Sequence, residues 1–253
     1  MGVLMVGIDV ANSRTYTRCY EAETTRAAFD VCGRWAKRHG RPRCVYVDRH
    51  GIYRHEDHPQ KPTQFGRAMK LVGGELICAH SPQAKGRVES RNAVWQDRRG
   101  KELRLRGISD MHGANVLREG KLLDELNRRY AGSAAKSGDL HRPVQAEMVL
   151  EEILCVQDPR VGGQDWCVRW QNRWLQIGRE HEALALAGRR GLVKQLGCGE
   201  LIVDNRRWKP AGDHPCNRGP ASRADPRVSL APAAPTGCVT VYAATGVGGH
   251  PNQ

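Results

Sequence analysis

The sequence has no uninterrupted apolar run of about 18 or more residues, the length that a membrane-spanning helix requires. A secretion signal is lacking too, because the apolar start Met1–Val10 has no basic flank, carries Asp9 and runs into polar residues. The sequence contains neither the phosphate-binding pattern G-x-x-x-x-G-K-S/T nor the nucleophile motif G-x-S-x-G. These absences argue against a membrane protein, an exported protein, a P-loop nucleotide hydrolase and a serine hydrolase.

Closely spaced cysteine pairs are also absent. The nine cysteines are spread singly along the chain, and no C-x-x-C pair occurs. Structural zinc sites usually use such pairs, and disulfide frameworks belong to secreted chains. The pattern therefore predicts reduced thiols in a cytosolic protein, with a zinc site or disulfides as the alternative.

Positive charge is what the chain has in excess. Its 253 residues include 40 Lys and Arg against 27 Asp and Glu, which gives a net charge of +13 and a pI near 9.6. A hydrophobic fraction of 40% is enough for a core in one or two domains. The basic excess favours a polyanionic partner, which in the cytosol usually means nucleic acid. The alternative is that the charge only keeps the chain soluble.

The hydrophobic pattern divides the chain into four segments. Residues 1–130 alternate between strand and helix patterns, which is typical of an α/β domain. Residues 131–146 have the composition of a linker, and residues 147–209 change to a period of two, which predicts a small all-β barrel domain. Seven of the 13 prolines fall in residues 210–253, so this tail is predicted to be disordered.

Within the α/β segment, local signals predict individual elements. Val3–Ile8 and Thr15–Tyr20 form a hairpin pattern, and a helix follows from the N-cap at Thr24 to Gly40. A short strand then ends at Asp48. The remaining predictions are a polar loop at 49–61, a helix at 63–72, a strand at 75–79, a long helix at about 84–106 and a further helix from Ser109.

Two acidic residues stand where a metal site could form. Asp48 follows a strand, and Glu89 lies in the first turns of the predicted long helix after the next strand. Strand ends and adjacent helices face one crevice in an α/β sheet, so these two carboxylates could share Mg²⁺ or Mn²⁺. The alternative is that both are ordinary surface acids.

Cations surround the second of these acids. Residues 81–106 hold eight Lys and Arg against three acids, which suits a groove that binds a phosphate backbone. The predicted DNA-binding residues are Lys85, Arg87, Arg91, Arg98 and Lys101.

Several segments, in order, resemble the catalytic core of ISNCY-type insertion-sequence transposases, and the resemblance covers roughly Val3 to Trp208. The segments are Val45–Tyr53, Thr63–Ala68, Ala79–Glu89, Gln96–Arg98 and Lys101–Leu105. The resemblance implies an RNase H-like, retroviral integrase-like core whose acidic triad cuts and joins transposon ends with Mg²⁺ or Mn²⁺. It makes Asp48 the second catalytic, metal-binding acid and Glu89 the third.

The first acid of that triad has no match in this sequence. The family fold places it on a strand between the hairpin and the strand that ends at Asp48, and the chain has no such strand before the first helix. We therefore expect an N-terminally truncated core that lacks its first strand, with the flanking strands left unpaired and prone to aggregation. Asp9 matches a turn in the family; the alternative is that Asp9 is the missing acid.

These features predict a protein derived from a transposase, an enzyme of DNA transposition and integration. We expect the chain to be an inactive fragment of such an enzyme. The alternative is a non-catalytic DNA-binding remnant. The expected partner is double-stranded DNA, namely insertion-element ends and target DNA, with no membrane, and an active relative would be a homo-oligomer. The resemblance implies a bacterial, cytoplasmic protein associated with the nucleoid.

Three further groups of residues each allow two interpretations. The loop with His50, His55 and His58 is either solvated or a metal cluster. The basic run around Arg38 is explained by favourable cations at a helix C-terminus, or by DNA binding. The tryptophans Trp166, Trp170, Trp174 and Trp208 either fill the core of the β domain or stack on bases.

Overall fold

A computed structural model of the chain describes residues 2–78, 101–132, 139–177 and 187–204, together with the backbone of 237–244. The chain divides into two compact units, the first formed by residues 1–148 with 233–253 and the second by residues 149–232. The strands in the described ranges are β1 Val3–Ile8, β2 Thr15–Tyr20, β3 Arg43–Val47, β4 Glu75–Cys78, β5 Val156–Val161, β6 Cys167–Trp170, β7 Arg173–Gln176, β8 Arg190–Gln195, β9 Leu201–Asp204 and β10 Gly237–Ala244. The helices are α1 Thr25–His39, α2 Gln64–Val72, α3 Met111–Leu117, α4 Leu123–Tyr130 and α5 Leu150–Ile153, and the segment Arg118–Leu122 between α3 and α4 is kinked at Gly120.

A five-stranded sheet organises the first unit, in the order β2-β1-β10-β3-β4. Strand β1 is antiparallel to both β2 and β10, whereas β3 is parallel to both β10 and β4. Strands β2, β10, β3 and β4 therefore all run in the same direction. The residues that follow β2 and β3 consequently share one edge of the sheet, which we call the carboxyl edge.

Strand β10 occupies the centre of this sheet. Its Thr240 pairs with Ile8 of β1 on one side and with Tyr46 of β3 on the other. The expectation of a gap between the hairpin and β3 is therefore wrong, because a segment near the end of the sequence supplies the strand. The prediction of disorder also fails for Gly237–Ala244, whereas 210–236 and 245–253 lie outside the described residues.

Helix α1 forms where its capping and spacing signals predict it. The Thr24 side chain accepts a hydrogen bond from the Ala27 amide at 3.1 Å, and the chain turns away at Gly40 with φ 91°. Between these ends, one face of the helix is fully buried, including Val31 and Trp35. Helix α2 packs nearby, and Phe65 of α2 stacks on Phe29 of α1 at 5.9 Å between ring centroids.

Two asparagine side chains cover the outer edge of β2. Asn115 of α3 accepts from the Cys19 amide at 2.8 Å and donates to the Cys19 carbonyl at 3.0 Å. Asn127 of α4 makes the same pair of bonds to Thr15, both at 2.8 Å. Each amide thus replaces a neighbouring strand, which satisfies backbone groups that would otherwise invite edge-to-edge association.

The second unit contains two separate antiparallel sheets in its described part. Strands β5, β8 and β9 form one sheet in the order β5-β8-β9, and β6 pairs with β7 in a hairpin. Their shared core includes Val168, Trp170, Leu175 and Val193. The prediction of β structure with a period of two is confirmed, but these five strands do not close into the predicted barrel.

The cysteines depart from the prediction at one position. Cys44 in β3 is disulfide-bonded, so the prediction of reduced thiols is wrong for this residue. Among the described residues, the cysteines with free thiols are Cys19, Cys32, Cys78, Cys155, Cys167 and Cys198. In the part of the chain that the structure describes, no helix has both the length and the apolar character needed to cross a membrane.

Candidate metal and nucleic-acid site

Asp48 lies at the carboxyl edge, directly after β3, and is partly exposed. One of its carboxylate oxygens, Oδ1, accepts a hydrogen bond from the His50 amide at 3.0 Å, which closes a short Asx turn. The His50 carbonyl in turn accepts from the Tyr53 amide at 2.8 Å. These two turns fix the Asp48 carboxylate against the first residues of the loop.

The loop that follows Asp48 is also held by contacts with helix α2 and its N-cap. The Tyr53 ring meets Phe65 edge-on, with 5.1 Å between centroids and 86° between planes. The Thr63 hydroxyl, at the N-cap of α2, donates to the Tyr53 carbonyl at 3.3 Å. A buried aromatic cluster thus holds the polypeptide that carries Asp48.

Glu89 and four of the predicted DNA-binding residues, Lys85, Arg87, Arg91 and Arg98, lie outside the described residues. The described strand β4, which precedes them in the sequence, is paired in parallel with β3, and its last residue, Cys78, lies opposite Val47. The chain therefore leaves β4 at the carboxyl edge, next to Asp48. The fifth predicted residue, Lys101, is exposed and belongs to a helical segment at residues 101–105.

Two cations that the sequence analysis missed lie near the same edge. Burial raises the pKa of the Cys78 thiol, whereas the positive charges of Arg54 and Arg49 lower it and the Asp48 charge raises it. Arg49 is exposed, and Arg54 is partly so. The end of β4 thus lies within the electrostatic reach of one carboxylate and two guanidinium groups, as a site for a phosphate backbone and a cation would require.

Glu23 is a second carboxylate within the electrostatic reach of Asp48. It lies between β2 and the N-cap of α1, at the carboxyl edge. Burial and the neighbouring Asp48 charge raise the pKa of Glu23, and the nearby His50 opposes this shift. Sequence reasoning did not select Glu23, since the only local signal was an acid just before a helix N-cap.

Asp9 lies at the opposite edge of the sheet. Strand β1 runs antiparallel to β10, so its last residue leads away from the carboxyl edge. Asp9 is buried and builds the hairpin turn: its Oδ1 accepts from the Ala11 amide at 2.9 Å, and its amide donates to the Arg14 carbonyl at 2.8 Å. The structure therefore makes Asp9 a turn acid and separates it from Asp48.

The histidine-rich loop is open to solvent. His50, His55 and His58 are exposed, as are Glu56 and Asp57 between them. Among the described residues, no group of three or more His, Cys, Asp or Glu side chains is arranged to hold a metal ion. The side chains of this loop are thus solvated, as one of the two interpretations expects.

Most of the basic run around the end of α1 is engaged within the first unit. Arg34 forms an ion pair with Asp30 at 2.8 Å and with Glu119 at 3.0 Å, and Arg38 pairs with Asp124. Arg41 is buried and donates to the Pro143 carbonyl at 3.0 Å. This run therefore stabilises the fold, in line with the non-DNA interpretation.

The tryptophans of the second unit have divided roles. Trp170 is buried in the core, and Trp166 packs against that core. Trp174 is exposed, with the Arg169 guanidinium 5.8 Å above its ring. Trp208 lies outside the described residues.

Comparison with known proteins relates most of this chain to parts of two proteins named as transposases. The chain is 34% identical over 212 residues to y4bF of Sinorhizobium fredii, a protein whose name assigns it provisionally to the transposases. It is 29% identical over 189 residues to the transposase for insertion sequence IS1202 of Streptococcus pneumoniae. The aligned parts cover 81% and 72% of this chain but 46% and 40% of the two relatives.

The chain thus spans less than half the length of the curated relatives that it matches. A search of protein-family models gave no match. The comparisons thus establish that most of this chain is similar to part of two proteins named as transposases. The structure of the chain itself is mixed α/β with small sheets.

Proposed function

We propose that this chain is a DNA-binding protein derived from an ISNCY-type transposase and acting at the ends of an insertion element. The observation that carries the proposal is the similarity of 81% of the chain to y4bF, joined to a sheet edge where the charges of Asp48, Arg49 and Arg54 all reach Cys78. Guanidinium groups bind phosphates, and a basic chain gains affinity for DNA by releasing counterions.

The strand order of the first unit supports an RNase H-like core. The resemblance implies a strand between the hairpin and the strand that ends at Asp48. Strand β10 has that position, antiparallel to β1 and parallel to β3. Strand β10 comes from a different part of the sequence, but with it the sheet has the strand order and strand directions that the resemblance implies.

The chemistry of the carboxyl edge fits a hard divalent cation. Asp48 presents a partly exposed carboxylate held by a backbone turn, and oxygen ligands of this kind select Mg²⁺ or Mn²⁺. In the proposal, Asp48 and Glu89 hold this ion. When bound, such an ion polarises a phosphodiester and stabilises the leaving oxygen of an in-line displacement.

We further propose that the chain binds DNA without cutting it. The two-metal route needs an acid that bridges both ions, and the family places this acid on the strand beside β3. In this chain the strand is Gly237–Ala244, which contains neither Asp nor Glu. Asp9, the acid of the hairpin, lies at the edge of the sheet opposite the carboxyl edge and therefore does not replace the bridging acid.

Incubating the chain with insertion-element ends and Mg²⁺ or Mn²⁺ is expected to leave the DNA intact, because the bridging acid is missing. Gel analysis of end-labelled duplexes measures both cleavage and strand joining. Strand transfer that disappears in the Asp48→Asn variant would contradict the non-catalytic proposal.

DNA binding itself is tested by neutralising the predicted contacts. Changing Lys85, Arg87, Arg91, Arg98 and Lys101 to Gln is expected to weaken duplex affinity on the order of tenfold or more, because each lost phosphate contact keeps its counterion in place. Fluorescence anisotropy with a labelled duplex measures the change.

The matched control removes the same charge from exposed positions elsewhere. These are Lys70, Arg128, Arg129, Arg189 and Arg190. If the control weakens binding as much as the test variant does, only net charge matters and the proposed contact surface is wrong.

A further inference from the structure

The carboxyl edge holds a carboxylate that the resemblance does not assign. Glu23 follows β2, whereas Asp48 follows β3, and the chain leaves both strands in the same direction. Helix α1, which begins just after Glu23, then packs over the sheet through its buried face. The connection into α1 brings Glu23 within the electrostatic reach of Asp48 and His50.

The Glu23 carboxylate is incompletely satisfied by the protein. Its Oε1 atom is buried and finds no hydrogen-bond partner among the described residues. A buried carboxylate oxygen without a donor costs free energy, and the negative charge of Asp48 nearby adds repulsion. A bound cation would relieve both costs at once, since it neutralises the two charges and supplies the missing partner.

A second polar group points to the same place. Tyr53 is only 3% exposed, and its hydroxyl has no hydrogen-bond partner among the described residues. Burial raises the pKa of this phenol, and the charges of Glu23 and Asp48 raise it further, so the hydroxyl lies within the electrostatic reach of both carboxylates. Buried tyrosine hydroxyls are normally paired, which makes an unpaired one beside two acids a sign of a ligand.

We propose that Glu23 and Asp48 together bind a divalent cation, Mg²⁺ or Mn²⁺, and that the Tyr53 hydroxyl oxygen accepts a hydrogen bond from a water ligand of that ion. This inference rests on the proposed function for the class of ion, and it adds to it a ligand from the β2–α1 connection. The ion links that connection to the end of β3 and so joins two parts of the carboxyl edge.

A purely structural role for Glu23 predicts a different behaviour. An acid next to the N-terminus of α1 stabilises the helix through its dipole, so Glu23→Gln would then lower the stability of the metal-free chain and leave cation binding unchanged. A ligand role predicts instead that Glu23→Gln weakens binding, while the metal-free chain keeps its stability or gains some through lost repulsion.

The test is a titration of the full chain with Mn²⁺, with free Mn²⁺ measured by electron paramagnetic resonance. Glu23→Gln and Asp48→Asn are each expected to raise the Kd about tenfold or more, since loss of a direct ligand costs at least as much as loss of an outer-shell partner. Tyr53→Phe is expected to raise the Kd by a smaller factor. The matched control Glu56→Gln, an exposed acid of the same loop, is expected to keep the parental Kd.

Thermal unfolding with and without Mn²⁺ provides a second readout that separates binding from folding. Mn²⁺ is expected to raise the unfolding temperature of the parental chain and of Glu56→Gln, and to have less effect on Glu23→Gln. A parental Kd for Glu23→Gln, together with a raised Kd for Asp48→Asn, would overturn the inference and leave the proposed function standing. If Asp48→Asn also keeps the parental Kd, the metal site of the proposed function fails as well.

Discussion

Ending the chain at Thr236 is expected to abolish cooperative unfolding of the first unit. This truncation removes β10, the strand that bonds β1 on one side and β3 on the other. The free energy of unfolding of a domain is only about 5–15 kcal/mol, and losing the central strand of its sheet removes more than that reserve. Urea unfolding followed by circular dichroism measures the loss.

The matched control is a chain that ends at Ala244, which keeps β10 and loses only residues 245–253. It is expected to unfold like the parental chain. Both truncated chains are compared in a reducing buffer, so that Cys44 is a thiol in each. Parental unfolding of the chain that ends at Thr236 would mean that β10 contributes nothing to the sheet.

Replacing Phe65 by Ala is expected to lower the free energy of unfolding by about 3–5 kcal/mol, because it removes a fully buried ring and leaves a cavity in its place. The change also removes the stack on Phe29 and the edge contact of Tyr53. The loop that carries Asp48 loses its anchor, so Mn²⁺ affinity should fall together with stability.

Phe65→Leu serves as the control because it keeps most of the apolar volume, and it should cost less on both measures. Urea unfolding gives the stability of each variant, and the Mn²⁺ titration gives its affinity. A Phe65→Ala variant with parental stability would show that this aromatic cluster does not support the loop.

Local signals predict much of the first unit. The hairpin, α1, α2 and β3 form at the predicted places, because capping threonines, glycine stops and apolar spacing all act within a few residues. The position of Asp48 directly after β3 is predictable for the same reason, since a polar residue at the end of a short apolar strand is visible without knowledge of the fold.

Long-range pairing explains what the sequence did not predict. The eight residues of β10 are rich in strand-forming side chains, but they lie in a proline-rich segment and pair with residues about two hundred positions away. Composition averaged over residues 210–253 therefore concealed the strand. The same averaging led to the expectation of unpaired, aggregation-prone strands.

The candidate site shows the same limit on local reasoning. Glu23 is 25 residues from Asp48 in the sequence, and only the topology of the sheet and the α1 connection bring the two acids together. Asp9 was open to two interpretations until strand direction placed it at the other edge. Closure of the second unit likewise depends on pairing between sheets, which alternation along each strand does not determine.

Duplex affinity as a function of salt tests most directly whether this chain binds the DNA backbone. The full chain is titrated against a labelled insertion-element end, and against an unrelated duplex, over a series of NaCl concentrations. With five phosphate contacts, the affinity is expected to fall about 500-fold between roughly 50 and 200 mM NaCl, because log K falls by about 0.9 per contact and decade of salt. An affinity that stays the same across this range would contradict the account.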